Sequence, residues 1–116
     1  MSHLSILPTI YTDLERLAQA LGQEGFEVTA KGQLPGFGPS TIAVDLAATY
    51  GDSMVLGWVH QSDGSISLRS DLQRISRTTG LETALQRVAR RYSLLTALAE
   101  VERQQLPTAA LTVQTF

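Results

Sequence analysis

Apolar residues recur along this chain with two different periods. In TIAVDLAATY (41–50), Ile42, Val44, Leu46 and Ala48 alternate with Thr41, Ala43, Asp45 and Ala47, the period of a strand with one buried face. SMVLGWVHQ (53–61) is apolar on both faces, with Met54, Leu56 and Trp58 opposite Val55 and Val59, which predicts a central strand. In SISLRSDL (65–72), Ile66, Leu68 and Leu72 alternate with Ser65, Ser67, Arg69 and Asp71. The intervening YGDS and SDGS are hairpin turns, because glycine takes positive φ at little cost and aspartate tolerates it. Three such strands joined by short turns make an antiparallel meander.

The helical period governs the segments on either side. After a short extended start over Leu4 to Ile10, TDLERLAQALGQEG (12–25) places Leu14, Leu17, Ala18 and Leu21 on one face. Thr12 and Glu15 fit a capping box, and Gly22 or Gly25 can close the helix. FEV (26–28) reads as a short strand. KGQLPGFGPS (31–40), with three glycines and two prolines, reads as a loop, with Phe37 pinned into the core or shown at a contact.

A long helix is expected from near Gly80, capped by Thr79 with Glu82 three residues on, to about Gln105 before Pro107. The tail over 106–116 is expected to be loose or to add an edge strand. The predicted fold class is therefore α+β: one domain over residues 1–116, an antiparallel sheet with a central three-stranded meander, and two helices packed on one face.

A wheel drawn at about 100° per residue separates two apolar faces on the long helix. Leu81, Leu85, Val88, Tyr92, Leu95 and Ala99 fall within about 40° of one line, so this stripe packs on the sheet and Tyr92 belongs to the core margin. Arg87, Arg90 and Arg91 point away from it, as a solvated helix side does without any functional reason. Leu94, Leu98 and Val101 continue the arginine side as a second apolar strip. A helix with two apolar faces is usually covered on both. The tail, a second copy of the chain, or another protein could supply that cover, so Arg87, Arg90, Arg91, Leu94, Leu98 and Val101 form the candidate partner-binding set.

Composition narrows the chemistry. Of 116 residues 17% are charged, fewer than the roughly 25% typical of soluble domains, and 43% are apolar, as a globular chain requires. Cysteine is absent, which removes disulfides, thiol catalysis and thiolate metal sites. The two histidines, His3 and His60, lack a second histidine three or four residues away, so a helical metal pair is excluded and no metal or cofactor is expected. Asp45, Asp52, Asp63 and Asp71 are scattered over strands and turns. GQLPGFGPS lacks the Lys-Ser or Lys-Thr ending of a phosphate loop and leads into a strand. No catalytic residue is assigned, and the chain is read as a non-enzyme.

No apolar run approaches the roughly 20 residues of a membrane span, and the opening lacks a signal-peptide pattern, so a soluble, non-secreted protein is expected. The net charge of −2 hides an uneven distribution: residues 1–68 hold two bases and seven acids, residues 69–116 seven bases and four acids. Arg69, Arg74, Arg77, Arg87, Arg90 and Arg91 could thus serve a nucleic-acid-binding domain. An acidic pI near 5.6 and a single lysine disfavour this. A further alternative is a small-ligand or enzymatic domain using the sheet face opposite the helices, which a buried pocket holding Asp45 or His60 would favour.

MSHLS (1–5), DLERLAQALGQEGFEV (13–28), PGFGPSTIAVDL (35–46), LGW (56–58) and ALQRVARRYSLL (84–95) follow in the order of a known family's motifs. Over residues 1–103 the chain resembles the hypothetical chloroplast reading frame 35 family of cyanobacteria and plastids. It departs from that pattern at Leu4 and Trp58, where phenylalanine is usual, and LRSDL (68–72) replaces an aromatic Ala-Asp-Trp segment. ARRYSLL (89–95) keeps Arg91 and Tyr92 but lacks the family's second aromatic and histidine. The resemblance implies a photosynthetic organism and a cytoplasmic location, in the cyanobacterial cytosol or the plastid stroma. It carries no established activity, and a protein–protein interaction, assembly or regulatory role is the expectation.

Overall fold

The computed structural model describes residues 4–35, 41–51 and 54–115, with side chains described at most of these positions up to Gln104. The elements are β1 (Leu4–Pro8), α1 (Leu14–Gln23), β2 (Glu27–Pro35), β3 (Thr41–Tyr50), β4 (Met54–His60), β5 (Ile66–Asp71), α2 (Leu72–Arg77) and α3 (Leu81–Thr115). The five strands form an antiparallel sheet in the order β1-β5-β4-β3-β2. β3, β4 and β5 are the expected meander, and β4 lies at the centre as its two apolar faces require. The chain leaves β1 on one edge and crosses by way of α1 to β2 on the other.

α1 and α3 pack on one face of the sheet. The core between them holds Leu17, Ala20 and Leu21 of α1, Leu46, Ala48, Leu56 and Trp58 of the sheet, and Leu81, Ala84, Val88 and Tyr92 of α3. Of the stripe read from the wheel, Leu81, Val88 and Tyr92 are buried and Leu85 and Leu95 pack partly buried against the same core, whereas Ala99 lies beyond it.

Three local readings need correction. The N-cap of α1 is Asp13, whose carboxylate accepts from the Arg16 N–H at 3.1 Å, so the expected box of Thr12 and Glu15 does not form. Leu72 does not end a strand. Asp71 accepts from the N–H groups of Gln73 and Arg74 and starts the short helix α2, the first-turn chemistry of an N-cap overriding the alternating pattern. Gly80, at φ 81°, accepts from the Ala84 N–H with its own carbonyl and so begins α3 in the place expected for Thr79.

The segment read as a loop over 31–40 is strand as far as Pro35, and residues 36–40, including Phe37, lie outside the described residues. Its glycine has a packing reason. Lys31 takes φ 58° while the β2–β3 register is kept on both sides of it, Ala30 opposite Leu46 and Gly32 opposite Val44. From this point the hairpin changes face. Leu46 and Ala48 join the core under the helices, whereas Leu34, Val44 and Ala47 cluster with Val55 and Val59 on the other side of the sheet. A Cβ placed at Gly32 would lie 2.8 Å from Ala47 Cβ, and one at Gly57 would lie 2.6 Å from Val44 Cγ1. The regular alternation read over Ile42 to Ala48 therefore breaks between Val44 and Leu46.

Where a stop before Pro107 was expected, with a loose or edge-strand tail, the backbone of α3 stays helical to Thr115. Pro107 removes one helix hydrogen bond, and the residues that follow it, Ala109, Ala110 and Leu111, are strong helix formers. At about 1.5 Å per residue the 35 residues of α3 extend over about 52 Å, well beyond the sheet. The Cα radius of gyration is 17.1 Å, against about 13 Å for a compact chain of this length.

Candidate protein interface

The C-terminus of α1 builds one side of the candidate surface. The Phe26 N–H donates to the Leu21 carbonyl at 3.0 Å and the Gly25 N–H to Gly22 at 3.2 Å, with Gly25 at φ 90°. This is a Schellman closure: the left-handed glycine satisfies the free carbonyls and turns Phe26 back onto Leu21 in the core. It leaves Glu24 as the C-cap, where a negative charge opposes the helix dipole. Two arginines from α3 offset that opposition. Arg87 Nε lies 3.3 Å from Glu24 Oε1, and Arg91 donates from Nε and Nη2 to Oε2, both at 3.1 Å.

The Glu24 side chain is only 13% exposed, while those of Arg87 and Arg91 are 48% and 39% exposed. Arg90, exposed on the same side, adds a third guanidinium to the groove, of which two meet the Glu24 carboxylate. With Leu94 these residues line an open groove of about 250 Å³. Further along α3, Leu94, Leu98 and Val101 are 49%, 50% and 46% exposed. The structure thus places all six candidate residues on one outward side of α3, with the arginines at its rooted end and the apolar strip leading away. Among the described residues, no segment covers the strip.

Beyond Tyr92 no described residue of α3 is fully buried, and Val101 to Gln104 are exposed in succession. Glu100 is engaged by Arg103 and Gln104 of its own helix, and hydrogen bonds from Arg103 hold its carboxyl below the usual range. Glu102 has no partner among the described residues.

Tyr92 fastens α3 to the other end of α1. Its hydroxyl oxygen accepts from the backbone N–H groups of Thr12 and Asp13 at 3.0 and 3.1 Å. Its ring meets Tyr11 edge-on at 4.6 Å between centroids, and Arg16 stands 6.0 Å from the ring centre. Burial pushes the Tyr92 phenol up, but the two N–H donors and the Arg16 charge outweigh it and leave the pKa below the usual tyrosine value. Burial raises that of Tyr11. Sequence patterning placed Tyr92 in the core margin and gave no sign of this hydroxyl anchor, because its partners lie 80 and 79 positions away. Glu24 was likewise missed; the only hint is an acidic residue next to a helix-closing glycine in the acid-rich half of the chain.

The other candidates are not gathered into a site. Arg69 lies opposite Ile6 and Gly57 in the sheet register and donates to Ser67 on the side away from α3, so the basic segment 69–91 does not share one face. Asp45 Oδ2 accepts from the His60 backbone N–H at 2.7 Å, and His60 Nε2 sits 3.2 Å from the Gly64 carbonyl at the turn. The hollow beside Asp45, lined also by Lys31 and Val59, holds about 460 Å³ and is open to solvent, not a buried pocket. Asp63 binds the Ser65 N–H and hydroxyl, which lowers its pKa and gives it a turn-forming role. Asp52 and His3 lie outside the described residues. Among the described residues no three His, Asp or Glu side chains converge as metal ligands, and no helix is long and apolar enough to cross a membrane. No protein-family profile, curated protein or solved structure matches the chain.

Proposed function

We propose that this protein is a small non-enzymatic interaction protein, an assembly or regulatory factor, that works through the outward side of α3. The observation that supports this reading is the exposed strip of Leu94, Leu98 and Val101 running directly out of an arginine patch that Glu24 holds in place. Apolar side chains bordered by arginine are the usual makings of an interface centre and rim. The resemblance to the reading frame 35 family suggests that its setting is the cytosol of a cyanobacterium or the stroma of a plastid.

The test is the double substitution Leu94→Ala and Leu98→Ala. Both side chains stand half exposed, so the variant should keep its circular dichroism and melt within a few degrees of the parent, while losing self-association in light scattering and any specific capture by the parent protein. Association equal to that of the parent would overturn the proposal. Nothing in the arrangement of the arginines favours nucleic acid, and a titration with RNA and DNA at low salt should be flat.

A further inference from the structure

We infer that the occupant of this strip is the same strip of a second copy, with the two α3 helices antiparallel. This rests on the reading of α3 as an interaction surface and adds its partner and register. Around a point close to residue 96, α3 is complementary to its own reversal. Leu94 and Leu98 lie on either side of that point at nearly equal distances, and so do Arg91 and Glu102. On a helix of 3.6 residues per turn, Arg91, Leu94, Leu98 and Glu102 fall within one sector of about 80°. A second α3 laid antiparallel against this sector sets Leu94 against the partner subunit's Leu98. It also sets Arg91 against the partner subunit's Glu102, and the two-fold repeats both contacts.

The charges support this occupant. Glu24 takes Nε and Nη2 of Arg91 and leaves three of its five N–H donors free for a second carboxylate. Glu24 neutralises one guanidinium of three, so the rooted end of α3 attracts acid. Glu102 is the acidic group of the projecting end that no described residue engages, whereas Glu100 is committed to Arg103. Cover for the projecting end points the same way. Val101 to Gln104 stand exposed, and a stretch of helix with nothing packed on it has little stability of its own. In the antiparallel pair each projecting end lies along the partner's rooted end, beside the groove lined by Glu24, Arg87, Arg90, Arg91 and Leu94. A parallel pair leaves both projecting ends side by side and sets Glu102 against its own copy.

A charge exchange on the full chain tests the register. Glu102→Arg alone should leave the fold intact, because the residue is exposed, and should weaken the dimer about tenfold by light scattering across a dilution series, in line with paired surface charges turned repulsive. Arg91→Glu alone should weaken it similarly. An equimolar mixture of the two variants should restore dimers as heterodimers, since each variant chain then meets its opposite charge at both contacts. Should Arg91→Glu fold poorly, Arg91→Gln replaces it: mixed with Glu102→Arg it regains one of the two opposite-charge contacts and so recovers part of the dimer, and Glu102→Arg still reads the register by itself. A dimer unaffected by Glu102→Arg overturns the antiparallel register. A chain monomeric at every concentration, whose specific capture of another protein is still abolished by the Leu94 and Leu98 substitutions, overturns self-pairing and leaves α3 as an interaction surface. A monomer whose captures are all indifferent to those substitutions overturns both.

Discussion

The hydroxyl of Tyr92 does work that the ring could not do alone. The N–H of the N-cap Asp13 is among those a helix cannot satisfy internally, and this oxygen accepts it together with the N–H of Thr12 just before the helix, across 79 and 80 positions of sequence. Tyr92→Phe keeps the buried ring and removes the acceptor. It should cost about 1–3 kcal/mol, read as a drop of roughly 4 °C or more in melting temperature. Titration offers a second readout. In the folded protein Tyr92 should ionise below the ordinary tyrosine value of about 10 and Tyr11 above it. The signs are opposite. Ionisation of Tyr92 is easier folded than unfolded, so its contribution to stability is full above the unfolded pKa and is lost as pH falls through the folded one. Tyr11 favours the neutral form when folded and destabilises the fold as pH climbs past the unfolded value. Ultraviolet titration of Tyr92→Phe should lack the earliest phase, and a first phase identical to that of the parent would refute the assignment.

Among the elements, the β2–β3 hairpin shows how local chemistry can overrule a periodic pattern. Alternation from Ile42 to Ala48 describes a strand with one face buried throughout. The hairpin instead turns at Lys31 and lays Leu34 and Val44 over Gly57 on the second face of the sheet. That arrangement needs the absent side chain. In Gly57→Ala the new Cβ meets Val44 Cγ1, on a side chain stiff at χ1, as well as the more adaptable end of Leu34. The expected loss is about 1–3 kcal/mol, measurable by denaturant titration, and the combination with Val44→Ala should recover part of it. A fully neutral Gly57→Ala would mean that the hairpin does not close on β4. The three meander strands, α1 and the body of α3 were legible because their hydrophobic runs are clearly punctuated, whereas β2 from Lys31 to Pro35 read as a loop because its glycine and proline carry turn signals. The face change was not, since Gly32 and Gly57 read as ordinary loop or strand glycines until their neighbours across the sheet are known.

For the molecule as a whole, stability is unevenly distributed. The sheet, α1 and the first three turns of α3 share one core, while α3 beyond Tyr92 leaves it. Amides from Ala84 to Tyr92 should exchange with the slow core of the protein. At concentrations below dimerisation those of Val101 to Gln104 should exchange at least tenfold faster, and raising the concentration should slow them selectively. Uniform protection along α3 in dilute solution would contradict this division.

The sequence by itself determined the α+β class, the meander, the central place of β4 and the buried stripe of α3. Each of these follows from a repeat of two or about 3.6 residues, a property of neighbours along the chain. It also marked Leu94, Leu98 and Val101 as a second apolar strip that the tail, a second copy or another protein would have to cover. What only the tertiary structure decided was the company that strip keeps. Glu24 comes from 63 and 67 positions away to fix Arg87 and Arg91, and the length of α3 carries the strip clear of the sheet. Pairings of that separation depend on how the helix ends are closed and where the sheet sends them, and neither is written in the local pattern.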